Sequence, residues 1–118
     1  MKLAVVGHGK MGREVEAVAR ERGHEVVVVR HGEAFPAGAG AGIDFTRAEA
    51  VIDNTGAALA AGARYVIGTT GWDGRMDELR ALVDRSGGGV VHAANFSLGV
   101  NLFYKVVREA AALFAHFP

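Results

Sequence analysis

A short apolar run, Leu3-Ala4-Val5-Val6, feeds directly into Gly7-His8-Gly9-Lys10-Met11-Gly12, and no other stretch constrains the fold of this chain as tightly. The run is continuous and ends on two valines, which suits a strand buried on both faces. Behind the glycines, Met11, Val15, Val18 and Ala19 recur at helical spacing until Gly23, so the spacing predicts a helix over residues 10–22. In a strand-turn-helix unit each glycine has a task. Gly7 permits the sharp exit from the strand, Gly9 lets the backbone approach a pyrophosphate, and Gly12 lets the helix pack close to the sheet. The phosphate would rest on the helix N-terminus. A tight turn with no ligand is the plainer reading, and the flanking strand and helix favour a dinucleotide site over it.

The rest of the chain repeats this rhythm. Glu25-Val26-Val27-Val28-Val29 lacks polar alternation and predicts a strand covered on both faces of a parallel sheet. Residues 31–42, HGEAFPAGAGAG, alternate alanine and glycine after one proline; they predict a loop or a brief irregular strand, with no room for a full crossover helix. Ile43-Asp44-Phe45 predicts the next strand, residues 48–61 an alanine-rich helix, and Tyr65-Val66-Ile67 a further strand. Residues 73–84 carry Met76, Leu79, Leu82 and Val83 on one helical face, Val90-Val91-His92 predicts a strand, and residues 98–117 a long last helix. Alternating strands and helices predict an α/β fold, a Rossmann-like doubly wound parallel sheet with ligands at the carboxyl ends of its strands. Residues 1–97 would form the dinucleotide-binding domain and residues 98–118 a helix leading into a further domain.

Composition narrows the partners. A chain of 118 residues that is half apolar can bury one core, and 13 Lys and Arg against 13 Asp and Glu leave no basic footprint for a nucleic acid. The apolar runs are strand-sized, far short of the roughly 20 residues of a membrane span. The N-terminus meets its glycine turn before a signal-peptide core could form, so a cytoplasmic location is expected. With no cysteine, the chain has neither a disulfide framework nor a thiolate metal site.

The strand ends carry the chemistry. A fold selecting NAD usually places an acidic residue after the second strand, to accept from the ribose 2′-hydroxyl. Here Arg30 and His31 occupy that point. A cation there would attract a 2′-phosphate, with Lys10 and Arg13 adding charge from the turn, so the expected cofactor is NADPH or NADH, with NADPH favoured. An ordinary exposed strand-end arginine is the competing reading. Gly68-Thr69-Thr70-Gly71-Trp72 follows a strand with small hydroxyl-bearing residues able to hydrogen-bond a carboxamide or carboxylate. Ala93-Ala94-Asn95-Phe96-Ser97 sets an amide beside an aromatic ring, a pair suited to a nicotinamide face; a turn capping the next helix is the alternative. None of His8, His24, His31, His92 or His116 has an acidic partner at ligand spacing, and no metal cluster is expected. Hydride transfer takes its chemistry from the cofactor, so the protein need only position it.

Taken in order, VGHGKMGRE at 6–14, IDFTRAEA at 43–50, VIGTTGW at 66–72 and AANFSLGVNL at 93–102 resemble dihydrodipicolinate reductase, also called 4-hydroxy-tetrahydrodipicolinate reductase, of lysine and diaminopimelate biosynthesis. The resemblance spans nearly the whole chain, and its GTTG and ANFSxGVNL strings are far more specific than the glycine turn. It implies that residues 7–12 cradle the pyrophosphate, that Arg30 and His31 meet the adenosine ribose, and that Gly68, Thr69 and Thr70 contact the nicotinamide half. It further implies that Phe45 and Thr46 line the nicotinamide region and that Ala93, Ala94, Asn95 and Phe96 close over the ring at a hinge.

The family pattern continues past the last helix into a substrate domain opened by an ExHHxxKxDAPSGT-type segment, and this sequence ends at Phe117-Pro118 before that point. The proton donor, the site for the small-molecule substrate and the tetramer-forming sheet of the family are therefore expected to be missing. The turn has one residue fewer than the family's GxxGxMG form, and the loop at 31–42 is short. The expectation is the cofactor half of such a reductase, binding dinucleotide without turning over alone. A stand-alone NAD(P)-binding regulatory or sensing module is the alternative from another class. A different small-substrate dehydrogenase is a third, disfavoured by the GTTG and ANFS strings. Phe103, Val106, Val107, Ala110, Leu113 and Phe114 on the last helix would leave an apolar surface, through which self-association is expected.

Overall fold

Residues rich in valine and isoleucine set five short strands side by side, and the glycines between them release the chain into helices. The computed structural model describes residues 1–117. In chain order it contains β1 (Lys2–Val6), α1 (Lys10–Glu21), β2 (Glu25–Val29), β3 (Ala41–Asp44), α2 (Val51–Ala60), β4 (Arg64–Ile67), α3 (Met76–Ser86), β5 (Val90–His92) and α4 (Leu98–Phe114). Single 3-10 turns, Ala48–Ala50 and Asp73–Arg75, lead into α2 and α3. The sheet is all parallel in the order β2-β1-β3-β4-β5, a Rossmann-like α/β fold. From β1 the chain goes one way to β2 and the other way to β3. Their carboxyl ends therefore flank a crevice, the place where open parallel sheets bind ligands.

The two faces of β1 seed two cores. Ala4 and Val6 join Val51, Ala58, Tyr65, Ile67, Trp72 and Leu79 under α2 and α3. Leu3 and Val5 join Ala19 and Val26 under α1. Each of the valine, leucine and isoleucine side chains among them contributes on the order of 1.5–3 kcal/mol when fully withdrawn from water. Register aligns Val29, Val6, Asp44, Ile67 and His92 in one row at the carboxyl end of the sheet. A carboxylate thus sits in a row that is otherwise largely apolar.

Three sequence expectations shift. β3 starts at Ala41 and ends at Asp44, releasing Phe45, because Ala41 and Gly42 pair between β1 and β4 despite their low strand propensity. Val27 and Val28 of β2 are half-buried rather than covered, since β2 is the sheet edge. As the sequence predicts, no helix covers the link from β2 to β3; Phe35 from that link packs edge-on against Tyr65, with ring centroids 6.3 Å apart. The last helix ends at Phe114, three residues earlier than its periodicity suggests.

α4 stands away from the body. None of its residues is buried, and Leu98, Phe103 and Phe114 are 75%, 63% and 71% exposed. The radius of gyration is 16.8 Å with a long axis of 58 Å, against about 13.5 Å for a compact chain of this length. Val91 of β5, at the other edge of the sheet, is 59% exposed.

Candidate functional site

The glycine turn has the shape its residues dictate. Gly7 adopts a φ of +89°, and its N–H donates to the Val29 carbonyl at 2.9 Å, so the turn is tied to the end of β2. A Cβ on Gly7 would approach the Phe45 carbonyl and the Thr46 methyl to 2.8 Å, and one on Gly12 would strike the Gly7 carbonyl oxygen. At Gly9 a Cβ meets nothing. Gly7 and Gly12 are therefore required by the protein's own packing, whereas Gly9 faces open space. Gly9 is also the N-cap of α1, with no side chain capping the free N–H groups and no acidic residue in the first turn. That end of the helix is open to an anion.

Two cavities meet at this turn. One of about 600 Å³ is lined by Gly7, His8 and Gly9, by Arg30, His31 and Glu33, and by Phe45, Thr46 and Asn54. The other, about 530 Å³, is lined by Gly9, Lys10 and Met11, by Phe45 and Thr46, and by Gly68, Thr69 and Thr70. Gly9, Phe45, Thr46 and Arg47 line both, so they form one groove across the ends of β2, β1, β3 and β4. Arg30 and Lys10 are exposed, and neither side chain forms an ion pair among the described residues.

Ala93 and Ala94 lie beyond that groove, against a recess of about 30 Å³ shared with Thr69, Thr70, Trp72 and His92. Asn95 and Phe96 line neither large cavity. The Asn95 side-chain oxygen accepts from the Ser97 N–H at 2.8 Å, its carbonyl accepts from Asn101, and Phe96 is 48% exposed. Ser97 caps α4, its hydroxyl oxygen accepting from the Val100 N–H.

One histidine does have an acidic partner, contrary to the reading by spacing. His8 Nε2 lies 2.8 Å from Glu16 Oε2, while Glu16 Oε1 accepts two bonds from Arg20. The pairing crosses from the turn to the second turn of α1, a separation of eight residues that no local spacing rule anticipates. The hydrogen bond from His8, then those from Arg20, hold the Glu16 carboxyl below its ordinary value. Trp72 stacks edge-on with His92 at 5.3 Å.

Beneath the groove lies a group that sequence reasoning took only for a strand residue. Asp44 is fully buried and its carboxylate accepts five hydrogen bonds. Its Oδ1 takes the Thr46 N–H at 2.8 Å, the Thr46 hydroxyl at 2.6 Å and the Thr69 hydroxyl at 3.0 Å. Its Oδ2 takes the Asn54 amide at 3.1 Å and the Tyr65 hydroxyl at 2.9 Å. Burial first, and the neighbouring Asp44 charge second, push the Tyr65 phenol well above its ordinary value. Thr69 is clamped from its other side too, its carbonyl accepting from Trp72 Nε1 at 2.8 Å. The signal for this cluster is the string Asp44-Phe45-Thr46: a carboxylate ending an apolar strand, with a hydroxyl two residues on. Glu33 was also missed; its Oε2 accepts from the Arg30 N–H at 2.7 Å and fixes the loop after β2. Among the described residues no group of three or more acidic or histidine side chains could hold a metal ion, and no helix is long and apolar enough to cross a membrane.

Comparison with known proteins decides the family. A family model described as dihydrodipicolinate reductase, N-terminus, matches residues 25–96. The chain belongs to this family. The match begins at β2 and includes Arg30, the Asp44 cluster, the Gly68–Thr70 loop and Ala93–Phe96. Curated proteins named 4-hydroxy-tetrahydrodipicolinate reductase align along most of it: 42% identity with that of Natronomonas pharaonis, over 92% of this chain and 50% of the relative, and 40% with that of Cupriavidus necator, over 94% and 41%. The chain thus spans about half the length of the curated relatives it matches. A dipicolinate-bound dihydrodipicolinate reductase from Paenisporosarcina sp. TG-14 superposes with a TM-score of 0.72 at 28% identity, covering 95% of this chain and 54% of that one. The WlbA dehydrogenase from Chromobacterium violaceum, in complex with NADH and UDP-GlcNAcA, shares the fold at 12% identity and a TM-score of 0.62, over 79% of this chain and 34% of that one.

Proposed function

We propose that this chain is the NAD(P)H-holding half of a 4-hydroxy-tetrahydrodipicolinate reductase. The observation that carries the reading is the continuous groove from Arg30 through the Gly7–Gly9 turn to Thr70, in a chain of this family. It runs across the switch point of the sheet, where a dinucleotide's pyrophosphate would meet the open end of α1. Lys10 and Arg30 supply cationic side chains that form no ion pair among the described residues, and Gly9 leaves the space a phosphate needs. The residues present therefore fit a nicotinamide dinucleotide.

In this reading Gly7, His8, Gly9, Lys10 and Met11 hold the pyrophosphate, with Gly12 shaping the turn by its packing on Gly7, Arg30 and His31 hold the adenosine ribose, and Phe45, Thr46, Gly68, Thr69 and Thr70 the nicotinamide half. Ala93 and Ala94, with Asn95 and Phe96 moving in from the start of α4, close that half. NADPH is favoured over NADH because Arg30 can reach a 2′-phosphate. The bound cofactor would supply hydride to a cyclic imine or enamine dicarboxylate. Residues 1–97 form the binding domain and 98–118 the lead into a substrate domain, a division supported by the exposure of α4. The 118-residue chain binds cofactor without turning substrate over. Titration with NADH and NADPH followed by nucleotide fluorescence and calorimetry tests this: saturable binding of either is expected, and no saturable binding of either at millimolar concentration would overturn it.

A further inference from the structure

We propose that Asp44 is a positioning residue for the nicotinamide half of the groove, its buried carboxylate being the shared acceptor that ties the loop after β3 to the loop after β4. This rests on the dinucleotide reading above. The glycine turn takes the pyrophosphate and the end of β2 takes the adenosine side, so the other half of the ligand must run toward Phe45, Thr46 and Gly68–Thr70. Asp44 lies directly beneath those residues.

The donor count fixes the hydrogens. The Thr46 hydroxyl accepts from Asn54 Nδ2 at 3.3 Å, so its one proton goes to Asp44. The Thr69 hydroxyl accepts from the Thr46 N–H at 2.9 Å, so its proton also goes to Asp44. Both hydroxyls are thus satisfied inward, and the two loops are bonded directly to each other and jointly to one oxygen. Of the pair in the Gly68–Thr70 loop, Thr70 is exposed and Thr69 is not.

Stability alone gives a poor account of a carboxylate here. Its row neighbours Val6 and Ile67 are apolar and buried, no cation pairs with it among the described residues, and five donors are consumed to offset its burial. Burying a carboxylate is costly even when every lone pair is satisfied, and an apolar residue of similar volume often serves packing as well. A carboxylate adds what a valine cannot: one acceptor holding two loops from different strands at fixed separation, through charge-assisted bonds stronger than neutral ones.

The test compares NADH with ADP-ribose, which keeps both phosphates and both riboses but lacks the nicotinamide ring. Asp44→Ala should weaken NADH binding by about tenfold or more while ADP-ribose stays within about twofold, the loss of several charge-assisted bonds acting on one half of the site. Asp44→Asn should be intermediate, because its amide oxygen can face the threonines while its NH2 donates to the Tyr65 hydroxyl. Tyr65→Phe, which removes a donor remote from the groove, should lower Tm and leave the ratio of the two affinities unchanged. Equal weakening of both ligands by Asp44→Ala and Asp44→Asn would overturn the proposal, as would undiminished NADH binding. If Asp44→Ala fails to fold, Asp44→Asn carries the comparison. Wild-type protein that binds neither ligand refutes the dinucleotide reading, and amide hydrogen exchange at Thr46 then decides separately. Faster exchange at Thr46 in Asp44→Asn but not in Tyr65→Phe supports the tie between the loops, and unchanged exchange refutes it.

Discussion

His8 Nε2 and Glu16 Oε2 lie 2.8 Å apart, joining the glycine turn to the helix it precedes. Because Glu16 also accepts from Arg20, one carboxylate anchors both the turn and the last part of α1. Its pKa is lowered, by His8 first and Arg20 second, so the folded protein binds a proton there less readily than the unfolded chain does. The stabilisation is therefore present above the ordinary value of 4.5 and is lost as pH falls through the lowered folded value. Melting curves of the wild type and Glu16→Gln between pH 7 and pH 3 should show a Tm gap at neutral pH that closes below about 4.5. A gap that persists at pH 3 would mean that charge at Glu16 is not its source.

How far the sequence discloses this site depends on the range of each interaction. β1, β2 and α1 follow from local periodicity because Leu3 to Val6, the valines of β2 and the apolar stripe of α1 each carry their own pattern. Ala41 and Gly42 carry none. They become strand only because β1 and β4 pair on either side, and Gly42 is needed because a Cβ there would press on the Tyr65 ring. In the groove, residues on the turn and at strand ends are legible through their glycines. Those that act through space are not: Glu16 reaches back eight residues to His8, while Asn54, Tyr65 and Thr69 converge on Asp44 from three further points in the sequence. The string Asp44-Phe45-Thr46 marks the carboxylate and its nearest hydroxyl, but nothing local marks it as the acceptor shared by these three distant side chains.

The glycines of the turn should separate by mechanism. Gly12→Ala drives a Cβ into the Gly7 carbonyl, backbone that cannot easily give way, and should cost roughly 1–3 kcal/mol of stability. Gly9→Ala meets no atom, and Gly9 already has extended backbone angles open to alanine, so stability should change by less than about 0.5 kcal/mol. Its methyl would nonetheless fill the space through which a pyrophosphate approaches, and dinucleotide affinity should fall sharply. Denaturant melts paired with NADH titration check both; a Gly9→Ala protein that binds like the wild type would remove the pyrophosphate from this turn.

The apolar side chains of α4 should show themselves in solution. Leu102, Phe103, Val106 and Val107 are each about half exposed or more and share one helical face, an exposed apolar stripe of the kind that marks an interaction surface. Sedimentation velocity of the 118-residue chain should show association that grows with concentration. Phe103→Lys together with Val106→Lys should return it to monomer while the Tm of the sheet domain is unchanged, since neither residue packs on the core. Concentration-independent monomer in the wild type would refute association through α4.

Arg30 provides the sharpest test of cofactor preference, because its backbone and its side chain have separate tasks. The backbone N–H is held by the Glu33 carboxylate at 2.7 Å, so the loop after β2 keeps its shape whatever side chain stands at residue 30. The guanidinium is exposed at the edge of the groove and forms no ion pair among the described residues. Arg30→Ala should therefore leave the fold intact and act on the 2′-phosphate alone. A charge-assisted bond to a phosphate contributes about 1.5–3 kcal/mol, so NADPH affinity should fall by about tenfold or more while NADH affinity stays within about twofold. Glu33→Gln should move the other way for the phosphorylated cofactor, since it removes a negative charge three residues from Arg30 and keeps an oxygen to hold the Arg30 N–H. Parallel loss of both cofactors in Arg30→Ala would show that the side chain supports the groove generally and does not select the 2′-phosphate.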